Sequence, residues 1–514
     1  MFYLSSFKVI GLAALLVAAH AAPTPHQAAY LGRRQTEQRG GNVGGNDGNI
    51  VSDTPIGPPG ASGQLRGSSS LGGYSTTNRV SSGDTALPSD QYQVAPGQKA
   101  DEDLGFYLDF SNIDNPQPIR GGSGNAPTDP GPRNRPLDKE NSDLFVPPGT
   151  DSGDVPNAKW PLGLSHNRHG LKGAGWARQQ NVNVLPVATA LAGVNMRLEA
   201  NSYRELHWHK ASEWAYILNG TVRLNAVNEA GQTFADDLQA GDVWFFPAGI
   251  PHSIQAFNQG VEFLLVFDDG QFSEDETFLL SELALRNPRS VLAKDLRVDV
   301  SAFDKIPQDQ LYIFRGTPPP ANINESNVTG PAGSIPLAGT YSYHLSQQEP
   351  YTVPGGSVKI LDTVSFPIAK NFAAALFTIK PGAMRELHWH VPNSESGDEW
   401  SFFIQGQARL TVFSAPEASR TFDFQAGDVG YVPTPDAHYL ENTGDEDLVY
   451  LEILQAPVFS DISVAQWLGL TPKQVVGDHL GFSEDTLNRL PQVKPYILPG
   501  SKNKTETDFR EEAL

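Results

Sequence analysis

Arg204-Glu-Leu-His-Trp-His209 recurs unchanged as Arg385-Glu-Leu-His-Trp-His390, 181 positions later (385 less 204). Each copy is followed by a Glu-Trp pair, Glu213-Trp214 and Glu399-Trp400. A Gly-Asp-Val turn and a third histidine come next, Gly241 and His252 in the first copy, Gly427 and His438 in the second. Two histidines spaced two apart on a strand point to one face. Folding the following strands into a barrel brings the carboxylate and the third imidazole to the same interior point. Three imidazoles and one carboxylate leave positions open on a six-coordinate ion. Open positions mark a catalytic rather than a structural metal site. The expected ligands are therefore His207, His209, Glu213 and His252 in the first unit, and His388, His390, Glu399 and His438 in the second. The second carboxylate has two candidates. Counting from the histidines brings Glu395 to a suitable distance, whereas counting from the next strand brings Glu399. Strand register is the stiffer constraint and favours Glu399, with Glu395 left open.

The duplication extends beyond the histidines. Pro186 pairs with Pro367 at offset 181, Gly241 with Gly427 and His252 with His438 at offset 186, and Pro288 with Pro472, Tyr312 with Tyr496 and Gly316 with Gly500 at offset 184. Between these marks run short apolar stretches broken by Gly, Pro and Asn: Trp214-Ala-Tyr-Ile-Leu, Val222-Arg-Leu, Val243-Trp-Phe-Phe and Phe263-Leu-Leu-Val-Phe. Strands of this length and spacing predict an all-β barrel or sandwich. After Glu274 the apolar period becomes helical, through Leu279, Leu283, Leu285, Val291 and Leu292. The fold expected is all-β with short helices, two tandem duplicated barrels joined by the Pro-, Asn- and Gly-rich residues 317–336. The first, with an N-terminal arm, spans 104–320, and the second, with C-terminal helices, spans 321–514.

The front of the 514-residue chain has a different character. Met1–Ala21 carries Lys8, an apolar run from Val9 to Ala19 and the triplet Ala19-His20-Ala21, the pattern of a secretory signal peptide. The run is too short to span a bilayer. Residues 22–103, dominated by Gly, Ser, Asn, Asp and Gln, cannot bury enough apolar surface to offset ordering entropy and are read as a disordered propeptide or linker. Sequons at Asn219, Asn324, Asn327 and Asn503 agree with export and glycosylation. The expected location is extracellular. There is no cysteine, so stability must come from core burial, metal ligation or assembly, and thiol chemistry is excluded. A formal net charge of −21 repels nucleic acid and anionic membranes. It also means that an anionic substrate needs a local cation. Arg204 and Arg385, three residues before the first ligand of each copy, suit that role by binding a carboxylate through paired hydrogen bonds. Strict alternation would send Arg204 and His207 to opposite faces, so this reading requires a bulge. The competing reading is an arginine paired with Glu205 or Glu386.

The pattern Gly-x5-His-x-His-x3/4-Glu-x6-Gly followed by Gly-x5-Pro-x-Gly-x2-His-x3-Asn resembles the cupin signature. With Gln117-Pro-Ile-Arg-Gly, Val146-Pro-Pro-Gly-Thr-Asp, Pro251-His-Ser-Ile-Gln-Ala and Phe263-Leu-Leu-Val-Phe-Asp-Asp-Gly, the chain resembles the bicupin oxalate decarboxylases of the secreted fungal type from about 117 to 500. It departs at Asn201, which replaces the opening glycine kept as Gly382, at Pro435 where the first unit has Gly249, and at Ala256 where the second has Asn442. The resemblance implies manganese in both sites, oxalate as substrate, dioxygen as a cofactor that is not consumed, formate and carbon dioxide as products, and a homotrimer or dimer of trimers. It also implies that a loop over the first site carries a proton-handling glutamate. The matching segment is Ser273-Glu274-Asp275-Glu276, where bacterial relatives read Ser-Glu-Asn-Ser. Glu274 is then the catalytic base and acid, with Arg204 polarising the substrate. The second site has no such loop; offset 186 puts Glu452 opposite Val266, and a structural role is expected there. The alternatives are a peroxide-forming oxalate oxidase on the same scaffold and a non-catalytic storage or binding bicupin, against which both complete histidine sets argue.

Overall fold

Apolar runs without polar alternation mean that a sheet is covered on both faces. In the strand Glu213–Val227, Ala215 and Ile217 point into the first barrel, while Trp214 and Tyr216 pack against the second. The strands Val243–Phe246 and His252–Phe267 divide the same way: Trp244, Phe246, Phe263 and Leu265 face inward, and Val243, Phe245, Leu264 and Val266 face the neighbouring barrel. Trp400, Phe402, Leu451 and Ile453 of the second barrel meet them. The two barrels thus share a third apolar core between them. The structure, a computed structural model, describes residues 147–326, 328–392 and 397–500. The expected signal peptide, the 22–103 linker, the arm before 147, Glu395 and the sequons at Asn327 and Asn503 lie outside those residues.

Each unit is an antiparallel β-barrel followed by short helices. The first is one eleven-stranded sheet, and the second divides into sheets of seven and six strands. The difference lies at the corners. In the first unit Glu213–Val227 and His252–Phe267 run through both faces, with register shifts on either side of Asn219 and Gly220. In the second unit the same strands are interrupted, as Glu399–Gln405 then Gln407–Ser414, and Ala437–Asn442 then Leu448–Leu454. Gly220 makes the first corner at φ +86, and a Cβ there would lie 2.1 Å from the Gly260 carbonyl oxygen. Gly406 makes the second corner at φ +85. Gly220→Ala combines a left-handed backbone with a backbone clash. It is expected to lower unfolding free energy by about 3 kcal/mol, measured by denaturant titration.

Two short strands cross between the barrels. Lys159–Pro161, ahead of the first barrel, pairs antiparallel with Asp428–Val432 of the second. Ser152 bridges Ser419, and the Asp151 carboxylate accepts from the Thr421 N–H (3.0 Å) and hydroxyl (2.8 Å). Conversely, Ser342–Tyr343, ahead of the second barrel, pairs with Val243–Phe246 of the first, Ser334 bridges Thr233, and the Ser346 hydroxyl donates to Asp242 (2.6 Å). The boundary expected near 320 is therefore crossed in both directions.

The helical segments are Leu280–Arg286 and Arg289–Leu296 after the first barrel, and Val464–Leu470, Lys473–Leu480 and Glu484–Arg489 after the second. Of the residues that gave the helical period, Leu279 lies in a two-residue strand and is buried with Leu292, while Leu283 and Val291 are exposed. Trp467, Leu470, Val475 and Leu480 are exposed likewise. The helices keep an apolar face that the barrels do not cover.

Candidate metal centres

The strand Ser202–Trp208 supplies Arg204 and His207 to the barrel interior, while Leu206 faces out. Simple alternation forbids that pattern. Pairing with His252–Phe267 shifts register between Arg204 and His207, and the second barrel repeats the shift between Arg385 and His388. The bulge turns Arg204 inward beside His207. It also buries Glu205, whose carboxylate accepts from the N–H groups of Ser281 (2.6 Å), Leu311 (3.1 Å) and Tyr312 (2.7 Å), tying the helical segment to the barrel. Glu205 is thus a backbone anchor and not the partner of Arg204.

His207, His209, Glu213 and His252 are all buried, and their ligand atoms lie within 4.8 Å of one another. His388, His390, Glu399 and His438 form the matching cluster. Glu399 is a member of this cluster, and Glu395 lies outside the described residues. In the first site each Nδ1 faces a backbone carbonyl: Glu205 for His207 (2.6 Å), Ala211 for His209 (2.6 Å) and Ile250 for His252 (2.8 Å). A carbonyl only accepts, so Nδ1 carries the proton and Nε2 offers its lone pair to the centre. The second site repeats this with the carbonyls of Glu386, Ser460 and Asp436. Each carboxylate has one oxygen fixed from outside, Glu213 by the Trp244 indole N–H (2.7 Å) and Glu399 by the Ser401 hydroxyl (2.5 Å). The other oxygen faces imidazole Nε2 atoms.

The donors are prepared for a cation. Burial holds His207 well below the usual imidazole range, and the nearby Arg204 charge adds to it. Burial lowers His252 as well. Burial would raise Glu213, but the facing His209 and His252 imidazoles outweigh it and keep the carboxyl well below its ordinary value. In the second site burial lowers His388, and facing histidines hold Glu399 low against its own burial. His438 goes the other way, because the Glu399 carboxylate overcomes burial. Among the described residues, His252 Nε2 and His388 Nε2 are buried with no hydrogen-bond partner. Orphaned lone pairs converging with a carboxylate, in a chain without cysteine, fit a first-row divalent ion with nitrogen and oxygen ligands.

Near His207, Arg204 Nη2 donates to Glu274 Oε2 (3.1 Å), and the Tyr312 hydroxyl donates to the same oxygen (3.1 Å). All three residues are buried. The Arg204 Nε–H has no partner among the described residues, so the guanidinium retains a donor for a further anion. Burial, then the facing Glu274 carboxylate, push the Tyr312 phenol far up and keep it a donor. Tyr312 was legible in the sequence only as the mate of Tyr496; both adopt positive φ, 54 and 57.

The second site differs in its charges. Arg385, expected to take a substrate carboxylate, already meets internal ones: Asp461 on Nη2, Glu452 at 3.6 Å and Glu386 at 3.5 Å. Lys494 also contacts Asp461, and burial beside Arg385 pulls its ammonium down to about 8. Glu452 stands 3.5 Å from His390 Nε2. Nothing in the spacing singled out Asp461 or Lys494, because they reach the site from a loop and from the chain's end.

The profile of the cupin family matches residues 164–303 and 343–488. The oxalate decarboxylase OxdC of Bacillus subtilis is 46% identical over 381 residues, 74% of this chain and 96% of that one. A probable oxalate decarboxylase of Arthroderma benhamiae is 38% identical over 387 residues, 74% of this chain and 93% of that one. The solved structure of the Bacillus subtilis oxalate decarboxylase, described with Mn(II) centres, superposes with a TM-score of 0.69 at 44% identity, covering 75% of this chain and all of that one.

Proposed function

The chain belongs to the bicupin oxalate decarboxylase family of the cupins, and we propose on that basis that it converts oxalate to formate and carbon dioxide at a manganese site in its first barrel. The observation that carries this reading is the buried triad of Arg204, Glu274 and Tyr312, joined through Arg204 to the neighbourhood of His207 in the His207, His209, Glu213 and His252 cluster. Manganese is the ion of the related structure, and two per chain are proposed here, held by the two four-residue sets. Bound manganese supplies Lewis acidity and a one-electron redox reserve, with dioxygen as a cofactor that is returned.

The residues do the rest. Arg204 neutralises the substrate carboxylate and orients it with its unpaired Nε–H. Glu274, buried beside it, accepts the proton of hydrogen oxalate and returns it to the carbon that remains after carbon dioxide leaves. The balance is hydrogen oxalate to formate plus carbon dioxide, with no net oxidation. Without that proton return, oxalate, dioxygen and two protons give two carbon dioxide and one hydrogen peroxide, the outcome of an oxidase. Purified protein with oxalate at acid pH is expected to yield formate in large excess over peroxide. Peroxide matching the oxalate consumed would instead establish the oxidase reading. Arg204→Lys keeps the charge but loses the planar fork, and is expected to lower kcat/KM by about 10- to 100-fold.

The second barrel is assigned a structural role, since Arg385 already faces carboxylates of its own chain. Assembly into a homotrimer or dimer of trimers through the helical segments is proposed; the exposed apolar residues Trp467, Leu470, Val475 and Leu480 support it, and sedimentation equilibrium tests it. Export and glycosylation are also proposed, supported by Met1–Ala21 and by the exposed sequon residues Asn219 and Asn324. Amino-terminal sequencing and glycosidase digestion of protein from culture medium test them.

A further inference from the structure

We infer that Arg168 is a positioning residue for the proposed reaction, holding the Glu274 carboxylate at Arg204 and Tyr312. The inference rests on the decarboxylase reading and names a group that neither touches the ligand cluster nor belongs to either repeat motif. Arg168 lies on the short strand Asn167–His169, which pairs with Gly175–Gln180. Among the described residues its guanidinium contacts Glu274, Asp275, Gln310 and Tyr312. Nη1 donates to the Glu274 carbonyl (2.8 Å) and pairs with the Asp275 carboxylate (2.9 Å). Nη2 donates to Gln310 Oε1 (2.7 Å), two residues before Tyr312. The group also stacks over the Tyr312 ring at 3.9 Å, while Arg204 lies 4.5 Å from that ring's centroid.

Glu274 needs such help. It sits in a three-residue 3-10 turn, Glu274–Glu276, outside any sheet. A cavity of about 290 Å³ lies against the turn, so close packing does not fix it. Its backbone is held at both ends by side chains instead: the N–H donates to Gln179 Oε1 (3.0 Å), and the carbonyl accepts from Arg168. One guanidinium therefore fixes both the peptide that carries Glu274 and the ring that hydrogen-bonds to its carboxylate. The Asp275 side chain is 81% exposed, so that arm of the clasp is open to salt screening. The arm to the Glu274 carbonyl is charge-assisted and more sheltered.

Product partition reads the inference directly, because a loosened Glu274 returns the proton late and oxidation takes a larger share. Arg168→Ala is expected to lower the formate-to-peroxide ratio by about tenfold, with two manganese per chain retained by elemental analysis. Arg168→Lys, which keeps one charged donor, is expected to recover part of the ratio. Asp275→Asn, an exposed change that leaves folding intact, is expected to lower the ratio about threefold, and wild-type protein in 1 M salt is expected to approach it. An unchanged ratio in both Arg168→Ala and Asp275→Asn overturns the inference; if Arg168→Ala fails to fold, an unchanged ratio in Asp275→Asn does so alone. Absence of formate from the wild-type protein itself overturns the decarboxylase reading instead, which keeps the two failures apart.

Discussion

Glu274→Ala cuts formate production from oxalate by about 100- to 10,000-fold, the range lost when a placed proton carrier is removed. The carboxylate is 7% exposed and faces only Arg204 and the Tyr312 hydroxyl. Among the described residues no other carboxylate is bonded to Arg204 or Tyr312, and the neighbouring Asp275 pairs with Arg168. A guanidinium only donates, and burial keeps the Tyr312 phenol protonated, so neither replaces the lost base. Glu274→Gln is the sharper variant, since it preserves shape and can still hydrogen-bond while abolishing proton exchange. Alanine also leaves the buried Arg204 unpaired, at a stability cost of about 3 kcal/mol. Both variants are expected to keep two manganese, because no ligand is touched, and to raise the peroxide share of the residual turnover. A glutamine variant that keeps more than about a tenth of wild-type formate removes Glu274 from the chemistry.

The second large effect separates the barrels. His207→Ala removes one of three imidazoles whose Nδ1 is pinned to a carbonyl. It is expected to drop manganese from two to one per chain, reduce formate to background and lower the melting temperature. The melting shift follows because ligation contributes directly to folding stability. His388→Ala is expected to lose one manganese as well, and to lose melting temperature, but to keep formate production from the intact first site. Elemental analysis, thermal unfolding and product assay on the two variants decide the matter. Formate lost in His388→Ala and kept in His207→Ala reverses the assignment of the catalytic barrel. Two manganese retained in both removes the ligand sets.

The ligand clusters were legible because a repeated motif fixes residue type and order together. His207, His209 and His252 needed only strand alternation and one turn to converge, and the bulge at Arg204 followed from refusing to let the arginine point outward. Strand register pointed to Glu399, which the second cluster contains, since a strand position moves less than a loop position. Chemistry arriving from elsewhere was harder to read. Arg168, Tyr312, Asp461 and Lys494 reach their sites from short strands, connectors and the chain's end, where no periodicity constrains a side chain. The apolar runs gave the strands, yet which residues faced the barrel and which faced its neighbour depended on a contact between units that spacing does not encode. Asn201 shows the opposite case. The substitution of glycine looked like a departure, but the residue adopts φ 60 where Gly382 adopts φ 74, and asparagine tolerates that region.

Reciprocal lending of rim strands makes the duplicated gene indivisible. A single scission anywhere between Phe246 and Ser334 leaves one fragment without the Ser342–Tyr343 graft on Trp244 and the other without the Lys159–Pro161 graft on Val429. Each orphan presents a raw hydrogen-bonding border of the kind that recruits stray chains into aggregates. Fragments made together are expected to restore both pairings, and fragments made apart are not. A lesion in the connector ahead of one barrel is therefore felt in its twin, and the two copies, however far their chemistries drift, inherit a common fate.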